Sequence, residues 1–353
     1  MAITGSRKEQ IAVITGGGDA PGLNAVIRGI VVRAISLGYD VLGFKKGWAG
    51  LIEGEQHPLD LDEVDDIHML GGTILGTSRT NPLKIPDGTA KIMDTLKNNN
   101  CEYLIAIGGD DTLGVANKLF QAGIKVVGVP KTIDNDLSGT DYTFGFDTAV
   151  NRAADAIHNL HTTANSHHRV MLVEIMGRYA GWITLHAGIA GGAHIIIIPE
   201  IPFDIEEICK IIMRREKQGK EYTMIAISEG AVPKEGSGFV MLSNEVDQFG
   251  HVRLGGIAEL VAREVEKRTN KEARHVVLGH LQRAGSPTAF DRVLGTRLGI
   301  KAVEFVHERK FGRMASLRGT EIIDIDLSEA VGKLKTVPKH RYDEARLFFG
   351  VEF

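Results

Sequence analysis

Two stretches carry the residue types needed to handle phosphate. Gly108-Gly109-Asp110-Asp111-Thr112 follows the apolar run Leu104 to Ile107, and Pro130-Lys131-Thr132-Ile133-Asp134-Asn135-Asp136 follows a second run, Lys125 to Val129. Paired glycines at the end of a strand let backbone N–H groups approach phosphate oxygens, and the helix N-terminus that follows favours negative charge. Adjacent aspartates there would repel a bound phosphate unless a cation lay between them, so Asp110 and Asp111 point to Mg²⁺. Asp134, one turn beyond a strand and between Thr132 and Asp136, has the position of a general base that takes a hydroxyl proton as that oxygen attacks phosphorus. The chemistry that uses such a set is phosphoryl transfer, where positioning and charge neutralisation do most of the catalysis.

The same theme recurs along the chain. Asp19, Asp110, Asp134, Arg178, Glu229 and His280 each follow an apolar run close to glycine. Such residues belong to one polar crevice if the strands that deliver them are parallel, because open α/β sheets bind ligands beyond the carboxyl ends of their strands. The elements that must do this read as follows. Ile11 to Thr15 is a strand, Gly16 to Gly22 a glycine loop and Leu23 to Leu37 a helix; the loop is either a phosphate-approaching turn or simply a tight βα turn. It matches neither a Walker loop nor a dinucleotide fingerprint. Tyr39 to Phe44 is a strand whose end, Lys45-Lys46, reads as solvated, and Gly71 to Thr80 is a small-residue loop presenting Arg79. That arginine either clamps a phosphate or is an ordinary surface side chain. Helices are expected over Asp87 to Asn98, Thr112 to Gln121 and Thr148 to Thr163, the last with His158 and His161 at a spacing that fits a metal or a solvated face.

Further on, Val170 to Ile175 is a strand flanked by Arg169 and by the turn Met176-Gly177-Arg178. Ala193 to Ile198 has the composition of a strand buried on both faces. Asp204 to Lys217 reads as an amphipathic helix, Tyr222 to Ile227 as a strand ending at Glu229, and Val232 to Gly250 as a surface excursion rich in glycine, serine and asparagine. Gly256 to Thr269 resumes as a helix and His275 to Gly279 as a strand, followed by His280-Leu281-Gln282-Arg283. A helix over Asp291 to Arg309, then a strand and helix within Thr320 to Lys335, close the fold.

The whole chain narrows the function classes. Its 353 residues exceed one compact core and suit two intimate α/β lobes. A formal net charge of -4 without a long basic run argues against nucleic acid as a partner. Cys101 and Cys209 are too far apart in sequence for a zinc-type spacing, and neither a signal-like leader nor a membrane-length apolar run is present, so a soluble protein of the cytoplasm is expected. Glycine accounts for 42 residues, about 12% against a usual ~7%, which implies many tight turns.

Gly-Gly-Asp-Asp-Thr at 108–112, Pro-Lys-Thr-Ile-Asp-Asn-Asp at 130–136, Met-Gly-Arg at 176–178 and Gly-His-Leu-Gln-Arg-Ala-Gly-Ser-Pro at 279–287 resemble the motifs of the 6-phosphofructokinase family, in family order from Ile11 to about Phe311. The resemblance implies two Rossmann-like α/β domains with the active site in the cleft between them. Residues 1–145 with about 282–330 would form the phosphoryl-donor domain, and 146–281 with about 331–353 the fructose 6-phosphate domain. It also implies phosphoryl transfer to the 1-hydroxyl of fructose 6-phosphate, with Asp134 as base and Asp110 as the Mg²⁺ ligand. By the same resemblance Thr132, Ile133, Met176, Gly177, Arg178, Glu229, His280, Leu281, Gln282 and Arg283 line the sugar-phosphate site. Arg169 and Arg274 match arginines contributed by a neighbouring subunit, so a homodimer or homotetramer with shared sites is implied.

Gly18, Arg79, Gly109 and Thr112 fall at the donor. There, ATP-using relatives have glycine where this chain has Asp111, and many have glycine where it has Lys131. Pyrophosphate-dependent members carry Asp and Lys. A carboxylate at 111 would fill the space of the ATP α-phosphate and repel its charge, while Lys131 brings a compact positive charge to the transferring group. The expected donor is pyrophosphate, with ATP as the alternative and a non-catalytic relative of the same fold as a remote one. The resemblance does not extend to the nucleotide-effector positions, which read Val32, His161, His194 and Gln218.

Overall fold

The computed structural model describes residues 8–234 and 255–349. The excursion expected after Val232 lies outside the described residues from position 235 onward. In chain order the elements are β1 (Gln10–Thr15), α1 (Leu23–Ser36), β2 (Asp40–Phe44), α2 (Trp48–Glu53), β3 (Gln56–Leu59), α3 (Gly88–Asn98), β4 (Cys101–Gly108), α4 (Asp110–Gln121) and β5 (Lys125–Pro130). There follow α5 (Phe146–Ser166), β6 (Val170–Ile175), α6 (Trp182–Gly191), β7 (Ile195–Ile197), α7 (Ile205–Lys217), β8 (Thr223–Ser228), α8 (Ile257–Thr269) and β9 (Ala273–Val277). The chain ends through α9 (Ala289–His307), β10 (Arg313–Arg318), β11 (Glu321–Asp326), α10 (Leu327–Ala330) and α11 (Lys339–Arg346).

These elements form two compact units. Unit 1 holds Met1–Thr132, Leu137–Gly145 and Arg283–Leu334; unit 2 holds Ile133–Asp136, Phe146–Gln282 and Lys335–Phe353. Unit 1 is built on one sheet in the order β11-β10-β5-β4-β1-β2-β3, parallel except for the edge strands β3 and β11. Alternate residues of β1 feed two cores. Ile11 and Val13 pack with α1 and α9 residues on one face, and Ala12 and Ile14 pack with α3 and α4 residues on the other. Coverage on both faces explains why β1, β4 and β5 read as continuous apolar runs. The α1–α9 crossing is tight because it is glycine-lined: a Cβ on Gly29 would lie 2.5 Å from the Thr296 carbonyl oxygen, and one on Gly299 2.3 Å from that of Val26.

Unit 2 is built on a smaller, all-parallel sheet in the order β7-β8-β6-β9. Ile195 and Ile197 of β7 are buried as the composition predicted, yet β7 is an edge strand. Its edge is covered by α11, whose Tyr342 hydroxyl donates to the Ile196 carbonyl at 2.9 Å, the usual remedy for an exposed sheet edge.

The differences from the sequence reading have local reasons. The α4 helix starts at Asp110, not Thr112, so both aspartates lie in its first turn, where the helix dipole favours them. The strand β10 is not expected from the sequence, because Arg313, Ser316 and Arg318 interrupt its apolar pattern. It is a strand because it pairs with β5 on one side and β11 on the other. The short β3, with Pro58 inside it, and the polar α11 carry no periodic signal and were also unforeseen. His158 is exposed, and His161 sits between the Tyr222 hydroxyl (3.1 Å) and the Gly191 carbonyl (2.9 Å), a structural role. Among the described residues there is no cluster of three or more His, Cys, Asp or Glu that could hold a metal by itself.

Candidate active site

In unit 1 the strand order reverses between neighbours β1 and β4, and the loops leaving their carboxyl ends are Gly16-Gly17-Gly18 and Gly109-Asp110. Such a switch point opens a crevice above the sheet. Side chains close around it. The Lys131 ammonium donates to the Gly18 carbonyl at 2.5 Å, and Lys131 is only 3% exposed, so this charge is held inside the glycine loop instead of trailing in water. A Cβ on Gly108 would overlap the Thr112 side chain at 2.3 Å, which is how closely the end of β4 approaches the first turn of α4.

Gly17 donates its N–H to the Ser78 carbonyl at 3.1 Å, and Thr77 donates its hydroxyl back to the Gly17 carbonyl at 2.5 Å. Arg79, exposed and one residue further on, is thereby carried beside the glycine loop. Thr77 and Ser78 were not foreseen; a Thr-Ser pair in a small-residue loop has no distinguishing pattern. Asp110 accepts the Gly332 N–H at 2.9 Å through Oδ1.

Arg283, expected with the sugar-phosphate residues, lies in unit 1: its guanidinium donates to the Asp19 carbonyl at 2.9 Å and would meet a Cβ on Gly18 at 3.1 Å.

In unit 2, Met176, Gly177, Arg178, Glu229, His280, Leu281 and Gln282 follow the carboxyl ends of β6, β8 and β9. Met176-Gly177-Arg178 leaves β6 in a turn with Gly177 at φ 153 and Arg178 at φ 52. Arginine in the left-handed region is sterically disfavoured, and such strain persists only where surrounding bonds hold it. Those bonds come from Glu229, at the end of β8, whose Oε1 accepts the N–H groups of Gly177 (3.3 Å) and Arg178 (3.1 Å). Burial, and next the neighbouring Asp134 carboxylate, raise the Glu229 pKa above the ordinary glutamate range; the two N–H bonds oppose this.

Gln282 is fully buried and its Oε1 accepts the Met176 N–H at 2.9 Å. His280 and Leu281, in the same turn, are exposed. Asp134 is 5% exposed and Thr132 9%, while Asn135 takes the left-handed conformation at φ 52.

Against known proteins, residues 10–306 match the family described as PFK: Phosphofructokinase. The chain belongs to the phosphofructokinase family. It is 56% identical over 343 residues, 97% of this chain and 100% of the relative, to the pyrophosphate–fructose 6-phosphate 1-phosphotransferase of Amycolatopsis methanolica. It is 52% identical, over 97% of this chain and 99% of the relative, to the ATP-dependent 6-phosphofructokinase of Corynebacterium efficiens. Among solved structures it is similar to the Pichia pastoris phosphofructokinase in the T-state, at 29% identity and a TM-score of 0.81 over 99% of this chain; it spans 38% of that longer chain.

In this phosphofructokinase Arg169 and Arg274 lie together, both on Glu272, at 2.8 Å and 2.5 Å. They sit at the amino-terminal ends of β6 and β9, where Met171 pairs with Arg274. The six residues of β6 separate Arg169 from Met176, about 20 Å at ~3.3 Å per residue. Within one chain these arginines therefore cannot share a small ligand with Arg178. No helix among the described residues of this phosphofructokinase is long and apolar enough to cross a membrane.

Proposed function

We propose that the chain catalyses reversible phosphoryl transfer from pyrophosphate to the 1-hydroxyl of fructose 6-phosphate, giving fructose 1,6-bisphosphate and phosphate. Unit 1 carries the proposed donor residues and unit 2 most of the proposed sugar-phosphate residues. The observation that carries the donor assignment is the pair Asp111 and Lys131: a carboxylate in the first turn of α4 and a buried ammonium on the Gly18 carbonyl. The carboxylate takes the space and opposes the charge of a third phosphate, and the ammonium offers the transferring group a fixed positive charge without a nucleotide to help.

Gly18, Gly109 and Thr112 present backbone and hydroxyl donors to the phosphates, with Arg79 beside them. Asp134 takes the proton from the attacking 1-hydroxyl. Arg178 neutralises charge on the transferring phosphoryl group. Thr132, Ile133, Met176, Gly177, Glu229, His280, Leu281, Gln282 and Arg283 bind or support the sugar phosphate. The residues fit Mg²⁺: the ion usually takes one or two carboxylates and completes its shell with phosphate oxygens and water, so Asp110 suffices where the described residues form no all-protein cage. When bound, the metal would neutralise charge on the phosphates.

Arg169 and Arg274, remote from Arg178 in their own chain, serve the 6-phosphate of a neighbouring subunit in a homodimer or homotetramer. Both cysteines are buried free thiols, as a reducing cytoplasm permits. ATP as donor is the second reading, favoured by the 52% identity to a relative named ATP-dependent. An assay of purified protein with fructose 6-phosphate and Mg²⁺, offering pyrophosphate or ATP in turn, separates the two; equal or better turnover with ATP would sink the pyrophosphate assignment.

A further inference from the structure

The segment Lys335-Thr336-Val337 lies beyond residue 306, where the family match ends, yet within unit 2 it is fastened to both turns that carry the proposed sugar-site residues. Lys335 donates its backbone N–H to the Asp136 carbonyl at 2.8 Å and its ammonium to Asn135 Oδ1 at 2.9 Å. The Trp182 indole N–H donates to the Lys335 carbonyl at 2.8 Å, and the Lys335 ammonium lies 5.8 Å from the centroid of the same ring system. Two residues on, Val337 donates its N–H to Glu200 Oε1 at 2.8 Å, and Glu200 also accepts the Gly181 N–H at 2.9 Å. One short stretch thus ties the 134–136 loop to the turn that follows Arg178.

Asn135, the residue next to Asp134, sits at φ 52, a left-handed conformation that asparagine tolerates better than most other non-glycine residues, and the bonds to its side chain and to Asp136 fix where the loop holds Asp134. Lys335 grips the Asn135 side chain and the Asp136 backbone at once, while the indole face fixes the ammonium from the other side. We propose that Lys335 is a positioning residue that holds the carboxylate of Asp134 in line for proton transfer; this rests on the reading of Asp134 as the base.

The test uses the full chain. Lys335→Met keeps an unbranched stem against Trp182 and every main-chain bond while removing the ammonium. It is expected to lower kcat about tenfold, as a small misplacement of a reacting group does, with KM for fructose 6-phosphate changed by about twofold or less. Lys335→Arg should recover most of the rate. Asn135→Gly removes the Oδ1 without straining the left-handed position and should reproduce the loss, and the double variant should be no slower than the slower single one, because both break the same link. A Lys335→Met kcat equal to wild type, or losses that multiply in the double variant, overturns the proposal. Asp134→Asn, assayed in parallel, keeps the two readings apart. An active Asp134→Asn enzyme removes the base and the proposal with it, whereas an inactive one beside an unaffected Lys335→Met removes the clamp alone.

Discussion

At the residue scale, the carboxylates of this chain divide by surroundings. Asp110 and Asp111 share a helix turn, yet Asp110 also accepts the Gly332 N–H, and the roles proposed for them differ, Asp110 toward Mg²⁺ and Asp111 toward the donor. Asp111→Gly should raise kcat/KM for ATP and lower it for pyrophosphate; steady-state assays with each donor measure this, and no gain with ATP would mean another feature excludes the nucleotide. Asp134→Asn should cost about 10²–10⁴ in kcat with fructose 6-phosphate affinity largely kept, the range for losing a general base. A loss of less than tenfold would move the base elsewhere.

Glu229 carries a pH signature. Its pKa is raised by burial first and by Asp134 second, so the ionised form costs the folded state stability. Below the unfolded value of about 4.3 the carboxyl is protonated in both states and costs nothing. The cost grows as pH rises toward the folded pKa and is constant above it. Glu229→Gln retains an Oε1 for both N–H bonds, so its unfolding midpoint should exceed that of wild type at pH 8 and converge with it near pH 4. A difference independent of pH would refute this account.

At the scale of elements, the phosphate-handling loops depend on close packing between strand ends and helix starts. At Gly108 the end of β4 meets Thr112 of α4, whose side chain a Cβ there would approach to 2.3 Å. Gly108→Ala should push the first turn of α4, with Asp110 and Asp111, away from the strand and raise KM for pyrophosphate more than KM for fructose 6-phosphate. Equal effects on both would point to general destabilisation. In unit 2, Tyr342→Phe removes the hydroxyl that covers the Ile196 carbonyl at the β7 edge. It should cost about 1 kcal/mol of stability, the net worth of one such bond, measured by urea unfolding, with little change in kcat.

At the scale of the whole molecule, the separation of Arg169 and Arg274 from Arg178 bears on the proposed sharing of sites between subunits. Mixing Arg169→Ala with Asp134→Asn subunits should restore activity that neither has alone. In a dimer with shared sites the hybrid has one intact site of two, so about a quarter of the wild-type rate is expected at equal mixing. No recovery after subunit exchange would argue for sites complete within one chain.

The parallel strands stand out in the amino-acid order because a strand buried on both faces is continuously apolar, and the turns at their ends stand out because glycine lets backbone N–H groups approach an anion. The motifs at 108–112 and 130–136 were therefore legible, as were β1, β4, β5, β6 and β8. The fold alone decided which partners those residues have. Arg283 lies beside the glycine loop because its guanidinium donates to the Asp19 carbonyl, Gln282 reaches the Met176 N–H from a buried position, and Asp111 joins α4 because the helix starts at Asp110. The strand β10 and the clamp at Lys335 gave no local signal, since their polar residues gain meaning only from strands and turns distant in sequence. Long-range pairing specifies such elements, and periodicity along the chain cannot register it.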